Sequence, residues 1–263
     1  MLFRSTKVIQ YCDEVKADGF DLVDDFSDLF GMNAAGTDAK MRNTKESILE
    51  AQFTSGAGNW CTWMFGRDLV NWNNNFTWAK WVTPSRDLIS AFKQEGDEVR
   101  FKESIVYYDC NWSNYYPSDN YPFMYKCRSA NSSIIKYRYA DVLLLKAEAL
   151  IMQDTPDLEG AADIIDKVRD RAKLGALPTS VRSNKNVLLN ALLKERRLEL
   201  AFEGQRWFDL VRLDKVEEVM NAVYAKDSGR KAQIYTFDKN SYRLPIPQSV
   251  IDANDKIHQN PGY

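Results

Sequence analysis

The spacing of apolar residues divides the chain into a loop-rich first half and a helical second half. Apolar side chains recur at three- and four-residue steps in four consecutive stretches, which is the spacing of amphipathic helices. These stretches are residues 134–151, 158–174, 187–203 and 205–225. Thr155-Pro156 separates the first two and Gly204 the last two, and both residue types commonly end helices. We therefore predict two consecutive helical hairpins, a mainly α fold compatible with degenerate tetratricopeptide repeats.

The first half carries fewer regular elements. Residues 5–17 predict one helix, and residues 46–53 alternate polar and apolar positions loosely, which predicts a short strand. Two more strands are predicted at residues 106–108 and 235–244. Most of the chain between the first helix and residue 132 lacks helical or strand periodicity, so we expect a loop-rich region packed against the helical hairpins.

A further helix is predicted after residue 82. Thr83 carries the hydroxyl of an N-cap residue, and Pro84 suits the first helical position because its missing N–H has no partner there. We expect this helix to run through Phe92 and to be closed by Gly96.

Tryptophan is concentrated in the loop-rich region. Six of the seven tryptophans lie between residues 60 and 112, interleaved with asparagines. Indole faces pack on the less polar face of a sugar ring, and amides supply the directional hydrogen bonds that hydroxyls need. We therefore predict an oligosaccharide-binding surface formed by Trp60, Trp63, Trp72, Asn74, Trp78, Trp112 and Tyr115. The alternative is that these tryptophans fill a satellite core, since Trp is usually well buried.

Residues 192–213 combine a helical pattern with dense charge. Glutamates recur at every fourth position from 195 to 203, among several arginines. One interpretation is a solvated helix face with weak surface ion pairs. The other follows from the neighbouring aromatics Phe202, Trp207 and Phe208, because arginines beside large rings are often partly buried and paired with carboxylates. In that case the charges fix the structure and catalyse nothing.

Four segments resemble the SusD/RagB family, the surface glycan-binding lipoproteins of Bacteroidetes. They are RYADVLLLKAEA at residues 138–149, ERRLELAFEGQRWFDLVR at 195–212, LPIP at 244–247 and QNPGY at 259–263. The resemblance implies a SusD-like fold in which residues 1–263 form a single C-terminal domain. Its implied parts are the trailing helix of an N-terminal half (1–19), a loop-rich glycan-binding region (20–132), helical hairpins (133–226) and a C-terminal strand and tail (227–263).

The resemblance also implies a location and a partner. Family members lie at the cell outer membrane and pass glycan to a SusC-like TonB-dependent transporter. Residues 1–5 have neither the apolar core nor the cleavage site of a signal peptide. We therefore expect the chain to be the C-terminal portion of a longer, lipid-anchored protein whose signal peptide and lipidated cysteine precede it.

The composition argues against several other classes of function. A net charge of -2 offers no basic field for a nucleic-acid backbone, and no apolar run is long enough to span a membrane. The four cysteines lack metal-binding spacing, and His258 is the single histidine, which disfavours zinc sites and His-dependent catalysis. The acidic residues between Asp13 and Asp28 lack EF-hand spacing, so a structural calcium ion is not indicated. We expect no metal site, no cofactor and no nucleic-acid partner.

Three classes of function remain. The first is glycan binding, and the second is a non-catalytic scaffold in which helical repeats grip a protein partner. Solvent exposure of the tryptophans would separate these two. The third is a glycoside hydrolase that uses two carboxylates near the aromatics, drawn from Asp68, Asp109 and Asp119. We take glycan binding as the prediction and expect no enzyme activity.

Overall fold

The computed structural model divides the chain into two compact units, Met1–Gly204 and Gln205–Tyr263. The residues that it describes are 5–54, 58, 83–109, 116–227 and 236–263. No helix within these residues combines the length and hydropathy needed to cross a bilayer.

In the first unit the described residues form helices and short strands. The helices are α1 (Ser5–Ala17), α2 (Ser27–Phe30), α3 (Arg86–Glu95), α4 (Glu98–Ser104), α5 (Tyr139–Ile151), α6 (Leu158–Arg171), α7 (Thr179–Arg182) and α8 (Lys185–Glu199). The strands are β1 (Ser47–Ala51), β2 (Ile105–Tyr108), β3 (Tyr121–Met124) and β4 (Ile134–Arg138). The predicted mainly α class with a few short strands is confirmed.

The main core of the first unit lies between helices. Helix α5 packs against α1, α6 and α8, and small residues such as Ala147, Ala161 and Ala162 are fully buried where α5 meets α6. Small side chains let two helix backbones approach closely, while Ile165 and Leu192 fill the remaining space. The predicted α5–α6 hairpin is therefore confirmed as the centre of this core.

Two antiparallel strand pairs flank the helices. β1 pairs with β4, with Ala51 opposite Ile134, and β2 pairs with β3. The sequence prediction is wrong for residues 134–138, which form β4 and not the first turns of a helix. The β-branched Ile134 and Ile135 favour a strand, and the register against β1 places Arg138 at its buried end.

The predicted start of α3 is also wrong by two residues. Ser85 is the N-cap, and its hydroxyl accepts a hydrogen bond from the Leu88 amide at 3.1 Å. Thr83 bonds elsewhere, so its hydroxyl does not cap the helix. Gly96 closes the helix in a left-handed conformation (φ 66°), as predicted, but the helix continues beyond Phe92 to Glu95.

In the second unit the described residues form short helices. These are α9 (Arg206–Arg212), α10 (Val216–Lys226), α11 (Gln248–Asp252) and a 3₁₀ helix (Lys239–Tyr242). The single helix predicted over residues 205–225 is broken after Arg212, where Asp214 adopts a left-handed conformation (φ 55°). The strand predicted at 235–244 is wrong over its described residues, because Asp238 caps the 3₁₀ helix instead.

Candidate functional site

The predicted sugar-binding residues lie outside the described residues. They are Trp60, Trp63, Trp72, Asn74, Trp78, Trp112 and Tyr115. Their role stays a prediction, and the structure bears on it through the described residues that border them. We call residues 59–82 and residues 110–115 the first and second tryptophan segments.

Arg42 fixes the chain just before the first tryptophan segment. Its Nη2 donates to the backbone carbonyls of Phe53 at 2.8 Å and Asn131 at 2.9 Å, and its Nη1 donates to the Ser133 hydroxyl at 2.9 Å. One guanidinium with several donors can join two stretches of backbone in this way. Phe53, six residues before the segment, is therefore held close to residues 131–133.

A group of aromatic and polar residues joins the two stretches of chain that directly follow the tryptophan segments. We call Thr83, Pro84, Arg86, Tyr116 and Tyr121 the tyrosine clamp. The Thr83 and Tyr121 hydroxyls lie 2.6 Å apart in a hydrogen bond, and the Tyr116 hydroxyl donates to the Pro84 carbonyl at 2.8 Å. The Arg86 guanidinium lies 4.7 Å from the centre of the Tyr116 ring, within cation–π distance.

Ring packing in strand β3 of the β2–β3 pair holds this clamp in place. The Tyr116 and Tyr121 rings meet edge to face at 5.6 Å, and Tyr121 packs on Phe123 at 5.0 Å. Tyr121 and Phe123 are almost completely buried, so their rings cannot rotate away without opening this cluster. The sequence prediction treated residues 121 and 122 as loop, whereas both lie in β3.

A network of buried charges lies among β1, β4, α4, α6 and α8. Glu199 is its centre: one carboxylate oxygen accepts from Arg138 Nη1 at 2.5 Å and also from Arg171, and the other accepts from Arg100 Nη1 at 3.1 Å. Glu46 accepts from Arg138 Nη1 at 2.7 Å and from Arg171 Nη1 at 2.5 Å. All of these side chains are buried, so the buried interpretation of the signature charges is confirmed for Glu199.

The network continues into α4 through Arg100. Its Nε donates to Asp97 at 2.5 Å, and its Nη1 donates to Glu195 at 2.5 Å. Phe208, which the sequence placed in the same corner, is instead 66% exposed.

Burial and ion pairing act in opposite directions on the pKa values of these groups. Burial alone would raise the pKa of Glu199, but the guanidinium groups of Arg171, Arg138 and Arg100 outweigh it and hold the pKa well below its usual range. Burial likewise opposes ionisation of Glu203, and Arg138 with Lys126 still lowers its pKa. Glu199 and Glu203, held in the ionised form by several cationic partners, are poor general acids, whereas burial raises the pKa values of Glu195 and Asp97 despite their pairing with Arg100.

A cavity of about 410 Å³ lies beside the network. Its walls are mostly apolar and include Phe30, Met124, Ile135 and Phe202. Lys126 is its buried cation: Nζ donates to Glu203 at 2.6 Å, and burial lowers the lysine pKa to about 8.

The sequence offered three carboxylates for hydrolysis. Asp109 and Asp119 are both exposed, and Asp68 lies outside the described residues. Sequence reasoning did not single out Glu46 and Arg171, which complete the charge network. No local pattern could reveal them, because Glu46 precedes its partner Arg138 by 92 positions.

Comparison with known proteins places the chain in a family. The SusD family model matches residues 121–263, just over half of the chain. A SusD-like protein of Formosa agariphila is 36% identical over 143 residues, which cover 52% of this chain and 27% of that protein. A second SusD-like protein of that organism is 43% identical over 99 residues, covering 35% of this chain and 19% of the relative.

Solved structures share the fold. Surface glycan-binding protein A from Bacteroides thetaiotaomicron, in complex with laminarihexaose, superposes with a TM-score of 0.71 at 20% identity. The match covers 98% of this chain and 59% of that protein. The chain thus spans less than two thirds of each of these three proteins, and by the match over residues 121–263 it belongs to the SusD family.

Proposed function

We propose that this chain is the glycan-capturing part of a cell-surface protein and that it binds oligosaccharide on its two tryptophan segments. The observation that carries the proposal is the tyrosine clamp, since it joins Thr83 and Tyr116, which directly follow the two segments that hold six of the seven tryptophans. A sugar-binding surface needs several aromatic faces near one another, and the clamp holds Thr83 and Tyr116, the residues that directly follow these segments, against one tyrosine.

Family membership supports the same proposal. A fold relative, surface glycan-binding protein A, is described in complex with laminarihexaose. We therefore take glucose oligomers of this type as the first ligands to test.

The proposed role is binding without catalysis. The buried carboxylates are occupied by arginines, and the reaction would need a free pair at a fixed separation. We infer that the protein acts without a cofactor or metal. By family resemblance it would sit at the outer membrane and deliver glycan to a SusC-like TonB-dependent transporter.

The test is a titration of intrinsic tryptophan fluorescence with a panel of plant, host and microbial oligosaccharides, laminari-oligosaccharides included. We expect a saturable change with one sugar class. Trp72→Ala and Trp78→Ala should each lower affinity about fivefold, because stacking on one ring contributes on the order of 1 kcal/mol beyond area burial.

Trp207→Phe is the matched control. Trp207 is the remaining tryptophan, and its described ring contact is with Phe237 at 6.4 Å in the second unit. The substitution should remove one fluorophore and leave sugar affinity unchanged. If no sugar changes the fluorescence of the folded chain, the scaffold of helical repeats becomes the better interpretation.

A further inference from the structure

The cavity of about 410 Å³ beside the charge network has the form of a small-molecule site. Its wall residues all belong to the first unit, and Phe30, Phe202 and Met124 give it an apolar lining. Sites for small ligands are typically concave, mostly apolar and of this size. Phe202 takes its place in the wall with a left-handed backbone (φ 66°), a conformation that bulky residues rarely adopt and that occurs most often at functional sites.

The charges inside the cavity are already paired with one another. Lys126 Nζ donates to one Glu203 carboxylate oxygen at 2.6 Å and to the Glu199 backbone carbonyl at 2.9 Å. The other Glu203 oxygen accepts from Arg138 Nε at 2.7 Å. A charged ligand group at this depth would have to compete with these bonds, so the part of a ligand that enters should be uncharged and apolar.

The mouth of the cavity carries a cation that the described residues do not neutralise. Lys136 and Gly204 are the exposed wall residues, so they mark the mouth. Lys136 has no ion-pair partner within the described part of the chain. The Ser133 hydroxyl, also in the wall, accepts a hydrogen bond from Arg42 Nη1 at 2.9 Å and can donate its own proton. Donors of this kind beside an apolar cavity complement a ligand with one negatively charged group.

We propose that this cavity binds aromatic monocarboxylates, with the ring system against Phe30, Phe202 and Met124 and the carboxylate at Lys136. Two phenylalanine rings and a methionine sulfur favour an aromatic body over an alkyl chain. A cavity of about 150 Å³ already accepts benzene, so the larger volume here accommodates two fused rings. The inference is independent of the proposed function, because it uses neither tryptophan segment.

Calorimetry with two ligands of the same shape tests the proposal on the full chain. The probes are 2-naphthoate and its uncharged amide, 2-naphthamide. The parent chain should bind naphthoate about two- to fivefold more tightly than naphthamide, because only the carboxylate gains the ion pair with the exposed Lys136.

Two substitutions locate the ligand. Lys136→Gln should lower naphthoate affinity to the level of naphthamide and leave naphthamide affinity unchanged. Ile134→Trp places a larger side chain in the wall while keeping a strand-favouring residue, and it should lower affinity for both ligands at least about tenfold by filling the cavity. Lys173→Gln is the matched control, since Lys173 is also exposed but takes no part in the wall, and both affinities should match those of the parent.

Several results would overturn the inference. These are binding of neither ligand to the folded parent chain, equal affinity for the two, or an Ile134→Trp variant that binds both like the parent. If Ile134→Trp does not fold, the exposed Lys136→Gln decides: loss of the preference for naphthoate supports the site, and a preserved preference contradicts it. An equal loss in Lys173→Gln would mean unspecific attraction of the anion and would also contradict it. Sugar binding is measured with other ligands, so either proposal can fail alone.

Discussion

Glu199 is the residue on which the buried charges converge. It accepts hydrogen bonds from Arg138, Arg171 and Arg100, which come from β4, α6 and α4. A carboxylate surrounded by three guanidinium groups is stabilised in its ionised form, and each arginine in turn depends on it for neutralisation. Residues 195–212 therefore contribute to the fold through charge pairing as well as through buried apolar side chains such as Leu198.

Replacing Glu199 with glutamine should be strongly destabilising. The change keeps the size of the side chain but leaves three buried arginines with one negative charge fewer, so we expect a loss of about 3 kcal/mol in the free energy of unfolding. Urea denaturation followed by circular dichroism would measure it. Glu159→Gln is the matched control: Glu159 pairs with Arg182, but its side chain is 73% exposed, and we expect a change below about 0.5 kcal/mol.

Ionisation of Glu199 should also make the free energy of unfolding depend on pH. The pKa of Glu199 is lower in the folded protein than in the unfolded chain, so the unfolded chain binds its proton first as pH falls. Its stabilisation is fully present above the unfolded pKa of about 4.3 and is lost as pH falls through the folded pKa. The stability difference between parent and Glu199→Gln should stay constant from about pH 5 to 7 and narrow below about pH 4. A difference that shrinks already near pH 6 would contradict this assignment.

The structural role of these charged residues could be predicted only in part from the sequence. The spacing of Glu195 and Glu199 beside arginines and aromatics allowed a buried network to be proposed, but could not exclude a solvated face. The choice depends on Glu46 and Arg171, whose contacts close the network across 125 positions of sequence. Long-range pairs of this kind leave no periodic signal, so they emerge only from the fold.

At the scale of elements, helix boundaries follow local chemistry that the apolar pattern does not report. α6 ends in a Schellman arrangement, in which the amides of Lys173 and Leu174 donate to the carbonyls of Asp170 and Arg169 at 2.9 Å. Lys173 adopts the left-handed conformation (φ 60°) that this arrangement requires. The sequence predicts a helix continuing to Leu174 because its apolar spacing persists past this turn.

Lys173→Gly should stabilise the chain. A lysine in the left-handed region pays a steric cost of about 1 kcal/mol that glycine avoids, and Lys173 is exposed, with no described ion pair. We expect the free energy of unfolding to rise by about 0.5–1 kcal/mol. Lys167→Gly, in the middle of the same helix, should instead lower it by at least about 1 kcal/mol, since glycine is a poor helix former and the substitution also removes the ion pair with Asp21. Thermal unfolding of both variants would show whether each substitution raises or lowers stability. A loss of stability at both positions would contradict the prediction.

Strand β4 shows a second reason why the apolar pattern can mislead: a long-range partner, and not local chemistry, decides its structure. Residues 134–138 have apolar positions compatible with a helix, and only the partner strand β1, far earlier in the chain, decides in favour of β pairing. The helices of the main core were predicted better, because their small and apolar residues repeat at a regular spacing over several turns.

At the scale of the whole molecule, the two units differ in how much they bury. The first unit contains the extended core of α1, α5, α6 and α8, in which many side chains are fully inaccessible. Within the described part of the second unit, the buried residues are Asp209, Leu210, Val216 and Asp227, while Leu244 is 82% exposed. The family resemblance identified the fold of the chain correctly but carries no information on this difference in local stability.

Hydrogen exchange measured by mass spectrometry should reveal that difference. Amides buried among many apolar contacts open only with global unfolding, whereas sparsely packed helices open locally at lower free energy. We expect peptides covering α5 and α6 to exchange at least about 100-fold more slowly than peptides covering α10 and α11, after correction for intrinsic rates. Peptides of α8 provide an internal control, because Leu188 and Leu192 are fully buried and should be protected like α5. Equal protection of α11 and α5 would contradict this prediction. It would mean that the second unit is stabilised by something other than its own core, because few of its described residues are buried.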